Sequence, residues 1–123
     1  MYNESQREQL LNLAHSAILY GMENGKPLTV NPAEFEDSLK QERACFVTLH
    51  LNEQLRGCIG SLEAYRSLIE DISYNAFAAA FRDPRFSPLT ESEFDDIIID
   101  LSILTPPVEM AFSSEAELLE QIR

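Results

Sequence analysis

The sequence predicts an α+β domain: a largely antiparallel sheet containing a β-hairpin, with helices packed against one of its faces. Three observations lead there. Two long stretches repeat apolar residues at helical spacing, three short ones read as strands, and the order is helix, short helix, hairpin, long helix, strand, helix. The 123 residues suit a single domain, and one of that size removes roughly two thirds of its unfolded surface from water.

Ser5 and Glu8 stand at capping-box spacing ahead of an apolar stripe through Leu10, Leu11, Ala14, Ala17, Ile18 and Met22. Gly25 and Pro27 end that helix, and His15 lies beside its stripe as a surface or core-edge residue. A short second helix is expected in "NPAEFEDSL", where Asn31 caps, Pro32 fits the first helical position and acidic residues fill the first turn. "ACFVTLHL" and "QLRGCIGSLE" then form a hairpin with its turn within residues 51–54. Loop length sets the faces, because a slip of one residue exchanges them. A two-residue loop, Asn52-Glu53, pairs Val47 with Cys58 and His50 with Leu55, mixing apolar and polar partners. A three-residue loop sorts them: Val47, Leu49, Leu55 and Ile59 on one face, Phe46, Thr48, His50, Arg56 and Cys58 on the other. The sorted register is the expectation.

Ser67 and Glu70 repeat the capping-box spacing and open the helix "SLIEDISYNAFAAAF", which "RDPRFSP" stops because Asp83-Pro84 cannot continue it. "IIIDLSIL" follows as a strand with Ile97, Ile99, Leu101 and Ile103 on one face, ended by "TPP". Ser114 and Glu117 announce a last helix, in which the sequence stops at Arg123.

Composition narrows the function. A 45% hydrophobic, 24% charged chain is ordinary for a globular protein. No run approaches the ~18 apolar residues of a membrane span, and "MYNESQREQLL" lacks the blocks of a signal peptide, so a cytoplasmic home is expected. The net charge is −12, with 9 basic and 21 acidic residues, most of the excess lying after residue 61. Nucleic acid is therefore a disfavoured partner, since its binding rests on basic groups that displace phosphate counterions. Two cysteines and two histidines, widely spaced, offer no metal-ligand set of the Cys-x-x-Cys kind and no disulfide framework.

The chemistry concentrates in residues 54–63. Strand alternation puts Arg56 and Cys58 on one side, where a fixed positive charge raises the thiolate fraction of a cysteine and suits it to nucleophilic or redox work. His50, across the hairpin on that face, is positioned as a general base. Gly57 and Gly60 flank the cysteine, and glycine inside a strand marks a bulge, a close-packed neighbour or the approach of a ligand. "FRDPRF" supplies Arg82, Asp83 and Arg85 after a helix end; if this loop lies over the open face, Arg56, Arg82 and Arg85 converge on a small anionic ligand, a carboxylate or phosphate. Each feature also has a structural reading: a thiol and an imidazole near one another are more often packing than catalysis, and arginines at a helix end favour its dipole. The acidic "ESEFDD" reads as a solvated face, while Asp100 alone is placed to point toward a cleft.

"LRGCIGS" at 55–61, "DPRFSPL" at 83–89 and "DLSILTPP" at 100–107 resemble, in order, signatures of the AMME chromosomal region protein family, also called AmmeMemoRadiSam system protein A. The resemblance takes in residues 1–123 and implies the N-terminal portion of a single α+β domain that continues further in the family. It implies no established activity or cofactor. It does imply association with a dioxygenase-like Memo protein and a radical S-adenosylmethionine enzyme, and it maps the motif onto Arg56, Gly57, Cys58 and Gly60. Members usually carry Asn-Gly in the hairpin turn, where this chain has Asn52-Glu53. Two functions from different classes follow: a small-molecule or enzymatic cleft at Cys58, or a non-catalytic interaction module. If the face of the sheet that the family's remaining portion covers is open, self-association is expected.

Overall fold

The computed structural model describes residues 2–105 and 108–113. Helix α1 (Glu4–Asn24) begins two residues earlier than Ser5/Glu8 spacing suggests: Asn3 is the cap, its side chain accepting from Gln6 N–H at 2.7 Å while Gln6 Oε1 accepts from Asn3 N–H at 2.9 Å. Asparagine outranks most residues as a cap, and the earlier start places Glu4 in the first turn, where the helix dipole favours an acid. Gly25 ends the helix in the left-handed conformation (φ 72°), as expected. The buried stripe runs through Leu10, Leu13, Ala14, Ala17, Ile18 and Gly21, with Leu11 and Met22 packed at its margin. His15 is exposed and lies against the ring of Phe94, centroids 4.4 Å apart.

The expected helix in residues 31–39 is instead two 3-10 turns, Pro32–Glu34 and Asp37–Leu39, separated by extended backbone at Phe35 and Glu36. Asn31 caps the first as foreseen, its side chain accepting from Ala33 N–H at 3.1 Å. Only Leu39 of these six turn residues is buried, too small an apolar face to sustain a longer helix.

Strands β1 (Ala44–Leu51) and β2 (Gln54–Gly60) form the hairpin, and β3 (Ile98–Thr105) pairs antiparallel with the other side of β1. A fourth strand, β4 (Val108–Ser113), pairs antiparallel with β3 and completes the order β2-β1-β3-β4. This strand was not expected after "TPP", and the helix predicted from Ser114 lies outside the described residues. Helix α2 (Leu68–Phe81) starts at the Ser67–Glu70 capping box, as predicted, and a single-turn helix α3 (Glu91–Phe94) starts at another formed by Thr90 and Glu93.

The two long helices pack on each other and on one face of the sheet, α2 chiefly against β1 and β2, α1 against β3. Val47, Leu49, Ile99, Leu101 and Ile103 point into that interface, with Leu10, Ile18, Ile69 and Ile72 opposite. A buried polar knot fastens α2 to the hairpin. Asp71, 1% exposed, accepts from Cys45 N–H, Ser61 Oγ, Arg66 Nε and Asn75 Nδ2 at 2.7–3.1 Å, and Asn75 also donates to the Cys45 carbonyl. Burial foremost, then Asp71, pushes the Cys45 thiol far above its ordinary pKa and leaves it an inert core group. No helix among the described residues is long and apolar enough to cross a membrane.

Candidate functional site

The hairpin combines both registers that its sequence allows. Asn52 and Glu53 form a two-residue turn, both in the left-handed region (φ 53° and 66°), pairing Leu51 with Gln54 and His50 with Leu55. A bulge between Leu49 and His50 then takes up one extra residue of β2, so that Leu49 faces Gly57, Thr48 faces Cys58 and Val47 faces Ile59. Beyond the bulge the predicted sorting holds, with Val47, Leu49 and Ile59 on the core side. Before it, Leu55 leaves the core face it was assigned and is 42% exposed.

Two residues from the bulge, Cys58 is directly opposite Thr48, and Thr48 is directly opposite Asp100 on β3. These three side chains form a row across three strands, on the face that the helices leave open. The Cys58 sulfur lies 3.2 Å from Thr48 Oγ1. His50, one step along β1 on the same face, is held by Asp100: Nε2 to Oδ2 is 2.7 Å, each side chain about one third exposed. Cys58 and His50 are thus diagonal neighbours, and the thiol's immediate polar contact is the threonine hydroxyl.

Arg56 does not turn to Cys58 as expected. Its Nε and Nη2 donate to the two carboxylate oxygens of Glu93 at 3.0 and 2.9 Å, Nη2 reaches the Pro88 carbonyl at 3.4 Å, and the guanidinium lies over the Phe86 ring. Arg56 foremost, then Thr90 N–H, holds the Glu93 carboxyl down at about 2. Arg56 Nη1 is buried without a hydrogen-bond partner among the described residues.

Arg85 supplies the charge near the cysteine. Asp83, buried, accepts from Cys58 N–H at 3.0 Å, from Arg85 N–H at 3.0 Å and from the Arg85 guanidinium at 3.1 and 2.8 Å. Arg85, more than the two backbone donors, holds the Asp83 carboxyl far below the usual carboxylate range. In return Asp83 raises the pKa of Arg85, with a smaller contribution from the Cys58 sulfur. The Arg85 side chain remains 56% exposed and also lies over the Phe86 ring. Arg82 does not join this group; it lies over Phe77.

The two glycines have packing roles. A side chain on Gly57 would sit 2.2 Å from the Ala79 carbonyl oxygen of α2, and one on Gly60 would overlap the Phe46 ring at 2.1 Å. The space they leave is filled by the protein itself, which removes the expectation that it admits a ligand. Glu93, in the acidic stretch that the sequence marks as a solvated face, instead binds Arg56, and the Thr90-x-x-Glu93 capping-box spacing is the sequence signal for its position. Among the described residues no three His, Cys, Asp or Glu side chains gather as a metal-ligand set.

A family model described as AMMECR1 matches residues 11–123. A protein of Methanocaldococcus jannaschii is 38% identical over 109 residues, 87% of this chain and 53% of its own length. One from Methanopyrus kandleri is 38% identical over 118 residues, 94% and 56% of the two chains; one from Thermotoga maritima is 40% identical over 95 residues, 76% and 55%. Among solved structures, an uncharacterized protein from Pyrococcus horikoshii superposes with a TM-score of 0.74 at 34% identity, covering 81% of this chain and 51% of that one. The chain therefore spans a little over half the length of these relatives.

Proposed function

The chain belongs to the AMMECR1 family, and within it we propose that the open face of the sheet at Cys58 is a small-molecule cleft in which this thiol acts as nucleophile or redox group. The observation that carries the proposal is the row Cys58–Thr48–Asp100, with His50 clamped to Asp100 at 2.7 Å on the same face. An imidazole whose Nε2–H is given to a carboxylate presents Nδ1 as a proton acceptor. The Cys58 proton passes to that nitrogen, through a bridging water or substrate atom across the diagonal, and the Thr48 hydroxyl donates to the sulfur left behind. The thiolate electron pair then forms an S–C bond to a carbonyl carbon of the substrate, the C=O π pair moves to its oxygen, and His50 delivers the proton to that oxygen, leaving a neutral tetrahedral adduct. Arg85, exposed beside the sulfur, supplies donors for a carboxylate or phosphate on that substrate.

The test is the iodoacetamide alkylation rate of Cys58 at neutral pH, compared with glutathione and followed by mass spectrometry to separate it from Cys45. The proposal expects Cys58 to react roughly tenfold faster than glutathione, and His50→Gln to remove most of the gain. A rate no greater than that of glutathione, unaffected by His50→Gln, overturns it.

A second reading, an interaction module acting with Memo-like and radical S-adenosylmethionine partners, has support on another surface. Leu62 is 85% exposed and Tyr65 64%, and the Arg66 guanidinium lies over the rings of both Tyr65 and Tyr74. Tyrosine and arginine are residue types enriched at interface hot spots, and Leu62 adds exposed apolar surface close by in the sequence. Leu62→Asp is expected to abolish binding to such a partner while leaving Cys58 reactivity intact; binding that survives it removes this surface from consideration.

A further inference from the structure

A groove between α1 and the segment that follows it is lined by residues distinct from those around Cys58. After Gly25 reverses the chain, residues 28–35 run back along α1, and between them lies a cavity of about 480 Å³, within the ~300–1,000 Å³ typical of small-molecule pockets. The segment is fastened beside both ends of the cavity. At one end Ser73 Oγ donates to the Leu28 carbonyl at 2.8 Å; at the other Gln6 Nε2 donates to Glu36 Oε1 and Ser38 Oγ at 2.9 and 3.0 Å. The capped 3-10 turn at Asn31 fixes its middle. A groove with its walls held in this way is formed before any ligand arrives, which spares the ordering cost of binding.

The α1 wall presents Gln9, Asn12 and Ser16, whose spacing of three and four residues places them on one stripe. The apolar surface comes from Leu13, Leu28, Val30 and Phe35. Glu34 is the sole ionisable side chain among the lining residues, so the groove holds a negative charge and no positive one. Carboxylates and phosphates, the ligands suited to Arg85 on the sheet face, are unsuited here. We infer that this groove binds a small aromatic amine: a flat apolar ring against Phe35 and the aliphatic side chains, ring-edge hydrogen bonds to Gln9 and Asn12, and an ammonium group at Glu34.

Tryptamine and indole-3-acetate share a ring and differ in the sign of the charged tail, which makes them the probes. Each is titrated into the 15N-labelled protein, following the side-chain amides of Gln9, Asn12 and Asn31 with the Cys58 amide as control. Tryptamine is expected to saturate the groove signals roughly tenfold more tightly than indole-3-acetate, the scale of one charge-assisted hydrogen bond. Glu34→Gln, an exposed change that leaves the fold intact, is expected to erase that preference, and Ser16→Trp to block both probes. Equal or tighter binding of indole-3-acetate, saturation centred on Cys58, or no saturable shift overturns the inference. Because the Cys58 cleft lies on the opposite side of the sheet, its alkylation test stands or falls separately.

Discussion

Replacing Asp83 with alanine removes the acceptor that joins the loop after α2 to the exposed edge of β2. Four donors lose their partner: Cys58 N–H, Arg85 N–H and two guanidinium nitrogens of Arg85. The guanidinium is more than half exposed and is rehydrated by water, so its share is small. The two backbone N–H groups had charge-assisted bonds to a buried carboxylate, worth about 1.5–3 kcal/mol each before partial rehydration. A loss of about 2–4 kcal/mol is expected from urea unfolding followed by circular dichroism. Amide exchange gives the sharper readout: Cys58 N–H points away from β1 toward Asp83, so its protection should fall in Asp83→Ala while that of Val47 and Leu49, in the middle of the sheet, falls only with global stability. The pH dependence has a definite sign. The folded-state pKa of Asp83 is depressed, so its contribution is complete above the ordinary aspartate value near 4 and drains away as pH falls below it. The wild-type advantage over Asp83→Ala should shrink in that acid range. A loss under about 0.5 kcal/mol, or Cys58 protection unchanged relative to its neighbours, refutes the assignment of Asp83 as the clamp on this edge.

Glu53→Gly is expected to stabilise the protein by about 0.5–1 kcal/mol, since an L residue in the left-handed region costs about 1–2 kcal/mol and glycine's extra freedom in the unfolded chain offsets only part of that; a thermal midpoint raised by roughly 2–5 °C checks it. Gly57→Ala should destabilise by about 1–3 kcal/mol, because the new methyl meets the Ala79 carbonyl of α2 rather than a flexible side chain, and denaturant midpoints measure this directly. Glu93→Gln should flatten the acid limb of the stability profile: the depressed Glu93 carboxyl contributes stability that is complete above 4.5 and lost as pH falls toward about 2, so a variant profile parallel to wild type over that window is the contrary result.

The fold was legible where one physical signal acted alone. The Ser67–Glu70 box, the Gly25 stop and the apolar alternation of β1 and β3 each describe a local preference that the packing has no reason to override. It was less legible where two solutions compete. At the start of α1, Asn3–Gln6 and Ser5–Glu8 both fit a capping box, and the side chain of Gln6, bound to Glu36 and Ser38, adds a tertiary contact to the first. In the hairpin, the turn chemistry of Asn52 favours two residues while the facing pattern demands three, and a bulge meets both demands at the expense of exposing Leu55. Strand β4 alternates apolar and polar residues across "VEMAFS", but the two prolines before it argue for an ending, and only its pairing with β3 reverses that argument.

The pairings of the candidate residues were not legible in the sequence, and they bear on what the proposed cleft can bind. Cys58 and His50 share a face and Arg85 lies near the sulfur, but Arg56 turns elsewhere, since a strand pattern carries no information on which carboxylate a long guanidinium reaches across the fold. Glu93 takes Arg56 and Asp83 takes Arg85, so two of the positive charges arrive already neutralised. A face with that balance, in a chain of net charge −12, attracts anions weakly at long range. Any carboxylate or phosphate held there must be held by donors aligned at contact distance around the exposed edge of Arg85, rather than by net charge. Such binding depends little on ionic strength, because salt screens long-range attraction far more than short, partly buried hydrogen bonds. An affinity that collapsed between about 0.05 and 0.5 M salt would instead place the anion on the solvent side of Arg85, outside the proposed cleft.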